Sequence, residues 1–166
     1  REAERQVQSL QALAFHDDLC GIYNRRAFNG ELQRLTDMAQ RYGGEAAVVV
    51  IDVDNFKTIN DRHGHAVGDT ALVAVAQVLK SSIRSSDVLA RIGGDEFVVL
   101  VRNGANNRDI AALAQRIIDR MNVPVEYDGH ECRFGVSIGI AREHARRNSV
   151  KNLLVNADIA LYRAKA

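Results

Sequence analysis

Two acidic clusters carry the chemistry open to this sequence. Asp52-Val53-Asp54 closes a valine-rich run over residues 46–53, and Gly93-Gly94-Asp95-Glu96 separates two apolar runs, residues 88–92 and 97–101. A carboxylate at the end of a buried strand is costly to desolvate unless positive charge meets it. By itself the Gly-Gly-Asp-Glu stretch reads as a solvated turn, its glycines free to take the positive φ of a tight hairpin. Asp52, Asp95 and Glu96 taken together read otherwise. Consecutive strands are commonly neighbours in a sheet, so pairing of these runs brings the carboxylates to one edge, where like charges call for a cation. Ligation by few carboxylates suits Mg²⁺, which keeps several waters and arrives with substrate phosphates. Two such ions clamp the attacking and leaving oxygens of phosphoryl or nucleotidyl transfer.

The residues after Asp52 suit that chemistry. Lys57 could meet phosphate charge, and the amides of Phe56 and Lys57 open a helical segment, where backbone donors favour anions. Asn60 and Asp69 could read a base edge: a carboxylate accepts from N–H donors and a carboxamide both donates and accepts, which suits guanine. Singly, Asn60 is equally a turn residue and Asp69 a helix cap. His63 and His65 stand two apart, on different helix faces, and read as structural.

Those residues need elements to place them. Residues 1–15 are helical in pattern, with Val7, Leu10 and Ala14 as a narrow seam suited to a coiled coil entering from an upstream region. Asn24 is a plausible N-cap for a helix reaching Tyr42, with Phe28, Leu32, Leu35, Ala39 and Tyr42 on one face and Gly43-Gly44 ending it. The run 46–53 predicts a strand covered on both faces. A short helix over residues 56–61 and a longer one over 68–83 follow, the latter turning Leu72, Val75, Leu79 and Ile83 inward. After the acidic hairpin comes an amphipathic helix over 107–121. Residues 123–127, Asp128-Gly129 and His130 onward read as a second hairpin. Phe134, Val136, Ile138 and Ile140 alternate as a half-buried strand, and Leu154, Ala157, Leu161 and Ala164 line a last helix. The expected fold is an α/β sandwich: a central mixed, largely antiparallel sheet flanked by helices.

The chain has 166 residues, 46% of them hydrophobic and 26% charged, with a net charge of +1. That length predicts one domain with a real core. The charge balance argues against strong nucleic-acid binding and a polybasic membrane arm, so an anionic ligand must be met locally. Cys20 and Cys132 are too few for a disulfide scaffold and read as reduced thiols, which points to a cytoplasmic setting. No apolar run reaches the length of a membrane span and no signal-peptide pattern opens the chain. Its first residue is Arg, so the expectation is a piece of a longer protein, one that could carry a membrane segment.

At this point the residues resemble a known family. Asp52-Val53-Asp54-Asn55-Phe56-Lys57, Ile59-Asn60-Asp61, Gly64-His65, Gly68-Asp69 and Arg91-Ile92-Gly93-Gly94-Asp95-Glu96-Phe97 look like the GGDEF-domain diguanylate cyclases. So do residues 17–26, Ser137-Ile138-Gly139-Ile140-Ala141 and the segment from Ala157-Asp158 to Lys165. The resemblance covers nearly everything after Phe15, in family order. It implies a fold like the nucleotidyl-cyclase and polymerase palm, with residues 16–166 as the catalytic domain and 1–15 as a signalling helix. It also implies condensation of two GTP into cyclic di-GMP, with release of pyrophosphate, by two chains facing one another under an upstream sensor. By position, Asp52, the carbonyl of Val53, Asp95 and Glu96 would hold Mg²⁺ or Mn²⁺. Glu96 would assist the metal or take the proton of the attacking hydroxyl. Asn60 and Asp69 would recognise guanine, and Phe56, Lys57 and Lys165 would meet phosphate. Arg84-Ser85-Ser86-Asp87 stands where the family has a product-inhibition site, to which Arg116 would add a second basic group; arginine pairs bidentately with guanine O6 and N7. The sequence departs from the family at Cys20 and Ile22, where Thr and Leu are usual, and stops before the usual Gly-Arg-Asn segment. A receptor that binds GTP or cyclic di-GMP without turnover is the competing reading. The acids at 52, 95 and 96 favour the enzyme.

Overall fold

The structure, a computed structural model, describes residues 1–102, 106–121, 124–127, 129–144 and 152–165. Helix α1 (Glu2–Phe15) precedes a short strand β1 (Tyr23–Asn24), and Asn24 caps α2 (Arg25–Tyr42) by accepting from the amide of Ala27. Strand β2 (Glu45–Val53) leads into α3 (Phe56–His63) and α4 (His65–Ser82), which Gly64 separates at φ 88°. A hairpin of β3 (Val88–Arg91) and β4 (Glu96–Val101) follows, then α5 (Asn107–Arg120). The chain closes with the β5 (Val125–Tyr127) and β6 (His130–Cys132) pair, the long strand β7 (Val136–His144) and α6 (Leu153–Lys165).

The main sheet has the order β1-β3-β4-β2-β7. Only β1 and β3 run parallel; the other neighbours are antiparallel, as the mixed, largely antiparallel expectation required. Alternation along β2 divides its side chains between two cores. Ala47, Val49, Ile51 and Val53 join Leu72, Val75 and Leu79 of α4 and Ile110, Leu113 and Ile117 of α5. Ala46, Val48 and Val50 meet Phe28 of α2 and Leu153, Ala157 and Leu161 of α6. Both faces of β2 are therefore buried, which accounts for its unbroken apolar run.

Several expectations change. Gly93 and Gly94 do not take positive φ. The connection from Ile92 to Asp95 is a longer bend, closed by the Ile92 amide donating to the Glu96 carbonyl at 3.0 Å, and it needs no left-handed residue. Tyr42 is exposed at the end of α2 rather than on its buried face. Helix α4 begins at His65 rather than Gly68. Strand β7 is half-buried as expected, but its closely covered side is the glycine side: α6 lies across Gly139, where a Cβ would stand 2.2 Å from the carbonyl oxygen of Ala157, while Val136 and Ile138 are partly buried on the other side. Ile140 is the more exposed neighbour. In α6, Leu153 takes the inward place expected of Leu154, and Ala164 is exposed. The second hairpin is present as β5 and β6, but Val123 and Asp128 of its predicted sequence lie outside the described residues. Cys20 is a free thiol; the side chain of Cys132 lies outside the described residues. Among the described residues no helix is long and apolar enough to cross a membrane.

Candidate active site

Register and parity bring the acids together. Asp52 of β2 stands directly opposite Glu96 of β4. Side chains two apart on a strand share a face, so Asp52 falls with Val48 and Val50, and Glu96 with Val98 and Leu100, all on the side that α6 covers. Asp95, in the bend before β4, receives the amide of Val53 on its own carbonyl at 3.2 Å. Its carboxyl is drawn up to about 6, first by burial and then by a hydrogen bond and the charge of Asp52. The Glu96 carboxyl is raised to about 7, again first by burial, then by a hydrogen bond with Asp158 of α6 and the neighbouring acids. Burial is the common first cause, and crowding of like charge in the half-buried corner adds to it.

One cation already answers these acids. Lys165, in the last turn of α6, donates to Asp52 Oδ2 at 2.5 Å, and this bond raises the ammonium above its ordinary value. The other oxygen, Asp52 Oδ1, is buried without a hydrogen-bond partner. Among the described residues no three His, Cys, Asp or Glu side chains are already gathered as a metal cage. Mg²⁺ does not need one: it keeps several waters and binds through one or two carboxylates plus phosphates. The orphaned Asp52 oxygen beside Asp95 and Glu96 fits such an ion.

Asp54 takes another course from the one its position in the acidic triplet suggested. The Ser137 hydroxyl donates to its Oδ1 at 2.5 Å, and its amide donates to the Gly135 carbonyl at 2.9 Å. It fastens the end of β2 to β7. Next to it Asn55 has φ 55° and ψ 30°, the single non-glycine in the left-handed region among the described residues, and its side chain does not cap α3. The amides of Phe56 and Lys57 therefore open α3 with no capping group, the arrangement in which helix N-termini accept anions. Lys57 is exposed on the same turn.

Farther along α3, Asn60 packs into the space left by Gly68, where a Cβ would stand 1.8 Å from its Oδ1. That oxygen is buried and has no partner, so it is held ready for a donor that the chain does not supply. Asp69 follows Gly68 on α4 and is exposed.

The Arg84–Asp87 turn is closed on itself: the Arg84 amide donates to Asp87 Oδ2 at 2.9 Å and the Asp87 amide to the Arg84 carbonyl at 3.0 Å. Asp87 Oδ1 is again buried and unpartnered. Both residues line a cavity of about 220 Å³ together with Asp109 and Arg116. Arg116 is not loose in it, since Nε and Nη2 both donate to the Ser82 carbonyl, at 3.1 and 2.6 Å. The cavity lies at the far end of β3 from Asp95.

Sequence reasoning named Asp158 within the family resemblance but gave it no role, and it missed the Asp54–Ser137 bond and the approach of α6 over Gly139. The last had a signal, since glycine inside a strand often marks close approach by another backbone.

The sheet is palm-like, with paired acids at the ends of adjacent antiparallel strands. The family model described as "Diguanylate cyclase, GGDEF domain" matches residues 14–166, and the chain belongs to the GGDEF-domain family. It is similar to the diguanylate cyclase TpbB of Pseudomonas aeruginosa, at 42% identity over 95% of this chain and 36% of that protein. A sensory box/GGDEF protein from Caulobacter crescentus superimposes with a TM-score of 0.82 at 40% identity, covering 92% of this chain and 98% of the other. The coiled coil and GGDEF domain of DgcB from the same organism, solved with c-di-GMP, gives a TM-score of 0.90 at 27% identity over 99% and 87% of the two chains. The chain spans between about a fifth and two fifths of curated relatives such as MucR (23%) and TpbB (36%).

Proposed function

We propose that residues 16–166 form the catalytic half-site of a diguanylate cyclase, and that residues 1–15 are the end of a helix from an upstream sensor. The observation that carries this reading is the face-to-face placement of Asp52 and Glu96, with Asp95 beside them. Each chain holds one GTP, and two chains face each other. Asn60 and Asp69 take the guanine edge. The open amides of Phe56 and Lys57, with the Lys57 and Lys165 ammonium groups, hold the triphosphate. Asp52, the Val53 carbonyl, Asp95 and Glu96 would hold Mg²⁺, or Mn²⁺ in its place. Such ions, when bound, polarise the reacting oxygens and offset the charge of the phosphates.

In each half-reaction the 3′ oxygen of one nucleotide bonds to the α-phosphorus of the other. The bond from that phosphorus to the bridging oxygen of pyrophosphate breaks, and the hydroxyl proton passes to Glu96. Two such steps close the ring of cyclic di-GMP. The cavity at Arg84, Asp87 and Arg116 takes the product as an inhibitor, Asp87 Oδ1 accepting from the guanine ring. The setting is the cytoplasm, where GTP is available.

The test is incubation with GTP and Mg²⁺, followed by chromatography for a cyclic dinucleotide, with ATP in parallel. Formation of cyclic di-GMP from GTP alone is the expected outcome. Binding of either nucleotide without turnover would support the receptor reading instead.

A further inference from the structure

The bend that carries Asp95 is gripped from behind. Arg91 is the last residue of β3, and its parity places it with Leu89 on the α4 and α5 side of the sheet, away from Asp52 and Glu96. Its Nε and Nη2 both donate to the carbonyl of Gly94, at 3.0 and 2.7 Å. That carbonyl belongs to the planar peptide whose N–H is that of Asp95, so fixing it fixes the plane from which Asp95 departs. The third arm, Nη1, reaches Asp17 at 3.0 and 3.3 Å. Both side chains are largely buried, with 18% and 16% of their surface exposed.

Asp17 stands two residues past the end of α1 and is itself tightly held. Its Oδ2 accepts from the Cys20 amide at 2.8 Å, its amide donates to the Ile22 carbonyl, and its carbonyl accepts from Gly21. Asn24 donates from its side chain to the Ala14 carbonyl in the last turn of α1, while its backbone is in register with Arg91 across the β1–β3 pair. The junction below α1 and the bend of the active site thus share one guanidinium.

We propose that Arg91 is a positioning residue for Asp95 and Glu96, and that Asp17 makes its setting depend on the seating of α1. This rests on the cyclase reading for its kinetic consequence but not for its structural one. A planar fork can hold one carbonyl with two donors and a carboxylate with a third; an ammonium on a flexible stem cannot.

The experiment compares the wild type with Arg91→Lys and Asp17→Asn, by GTP kinetics, thermal unfolding and hydrogen exchange at the amides of Asp95 and Glu96. Arg91→Lys should unfold at the wild-type temperature and keep KM for GTP, while kcat falls roughly 10- to 100-fold, as misplacement of reacting groups does. Exchange at the two amides should speed up in both variants. Wild-type kcat in Arg91→Lys, or a loss confined to KM, overturns the proposal. Should Arg91→Lys fail to fold, Asp17→Asn decides on the same criteria, since its side-chain carbonyl can still accept from Cys20. If the wild type itself makes no cyclic dinucleotide, the cyclase reading fails and exchange alone judges the grip: faster exchange upholds it and unchanged exchange removes it.

Discussion

Lys165 and Asp52, 113 residues apart in sequence, meet at 2.5 Å and join the last turn of α6 to the end of β2. An ammonium placed on the acid that would carry Mg²⁺ is a local counter-charge, and it satisfies only one of the two carboxylate oxygens. The remaining negative charge of the corner is expressed in the raised carboxyls of Asp95 and Glu96.

Those raised values set the pH dependence of stability. The folded chain binds protons at Asp95 and Glu96 more tightly than the unfolded chain does, so stability falls as pH rises from the ordinary carboxylate range through about 6 and about 7. Urea unfolding without divalent ions should give a lower midpoint at pH 8 than at pH 5, and Mg²⁺ should recover part of the loss at pH 8. A midpoint unchanged between the two pH values counts against the crowded corner.

Glu96→Gln removes one charge from that corner and the proton acceptor with it. Turnover should fall at least about a hundredfold, while the unfolding temperature at pH 8 stays level or rises. Full activity in this variant would dismiss the assigned role of Glu96.

Asn60→Ala removes the buried carboxamide oxygen that lies against Gly68. A site built to hydrogen-bond its ligand discriminates by leaving groups unpaired, so the preference for GTP over ATP should shrink. Competition binding with the two nucleotides measures it, and an unaltered preference excludes Asn60 from base selection.

Arg84→Ala removes the guanidinium beside Asp87 and leaves the backbone bonds of the turn in place. The cyclic di-GMP concentration for half inhibition should rise roughly 5- to 150-fold, the worth of one bidentate guanine contact. A superimposable inhibition curve removes the product-site assignment.

Gly139→Ala tests how closely α6 is seated. The new methyl would meet the Ala157 carbonyl at 2.2 Å and the Leu161 amide at 2.5 Å, backbone atoms that cannot swing aside. Overpacking of this kind costs about 1–3 kcal/mol. Urea unfolding checks the loss, and wild-type stability would mean that α6 shifts freely.

Much of this was legible in the residues because the signals were local. The apolar run of β2 announced a strand buried on both faces, and the acid at its end could be paired with the acids of the hairpin by asking which strands adjoin. Asn24 was readable as a cap because its neighbours supply the donor. The Gly-Gly bend was misread because a two-residue turn is only one way to join two strands, and hydrogen bonds from the Ile92 amide and the Arg91 guanidinium select another. The pairing of Asp158 with Glu96, of Asp17 with Arg91 and of Ser137 with Asp54 joins residues 62, 74 and 83 positions apart, respectively. No spacing rule reaches that far. The seating of α6 decides the first, the turn after α1 the second and the pairing of β2 with β7 the third, and all three are settled by tertiary packing.

Strand β3 has only four residues, and three of them, Val88, Leu89 and Ala90, are buried. Asp87 adjoins one end and Arg91 forms the other, a separation of about 13 Å at the usual rise of an extended chain. A strip so short and so closely packed has no slack to absorb a tug. The turn that presents Asp87 and the arginine that holds Gly94 are thus the two ends of one buried strip, four residues long.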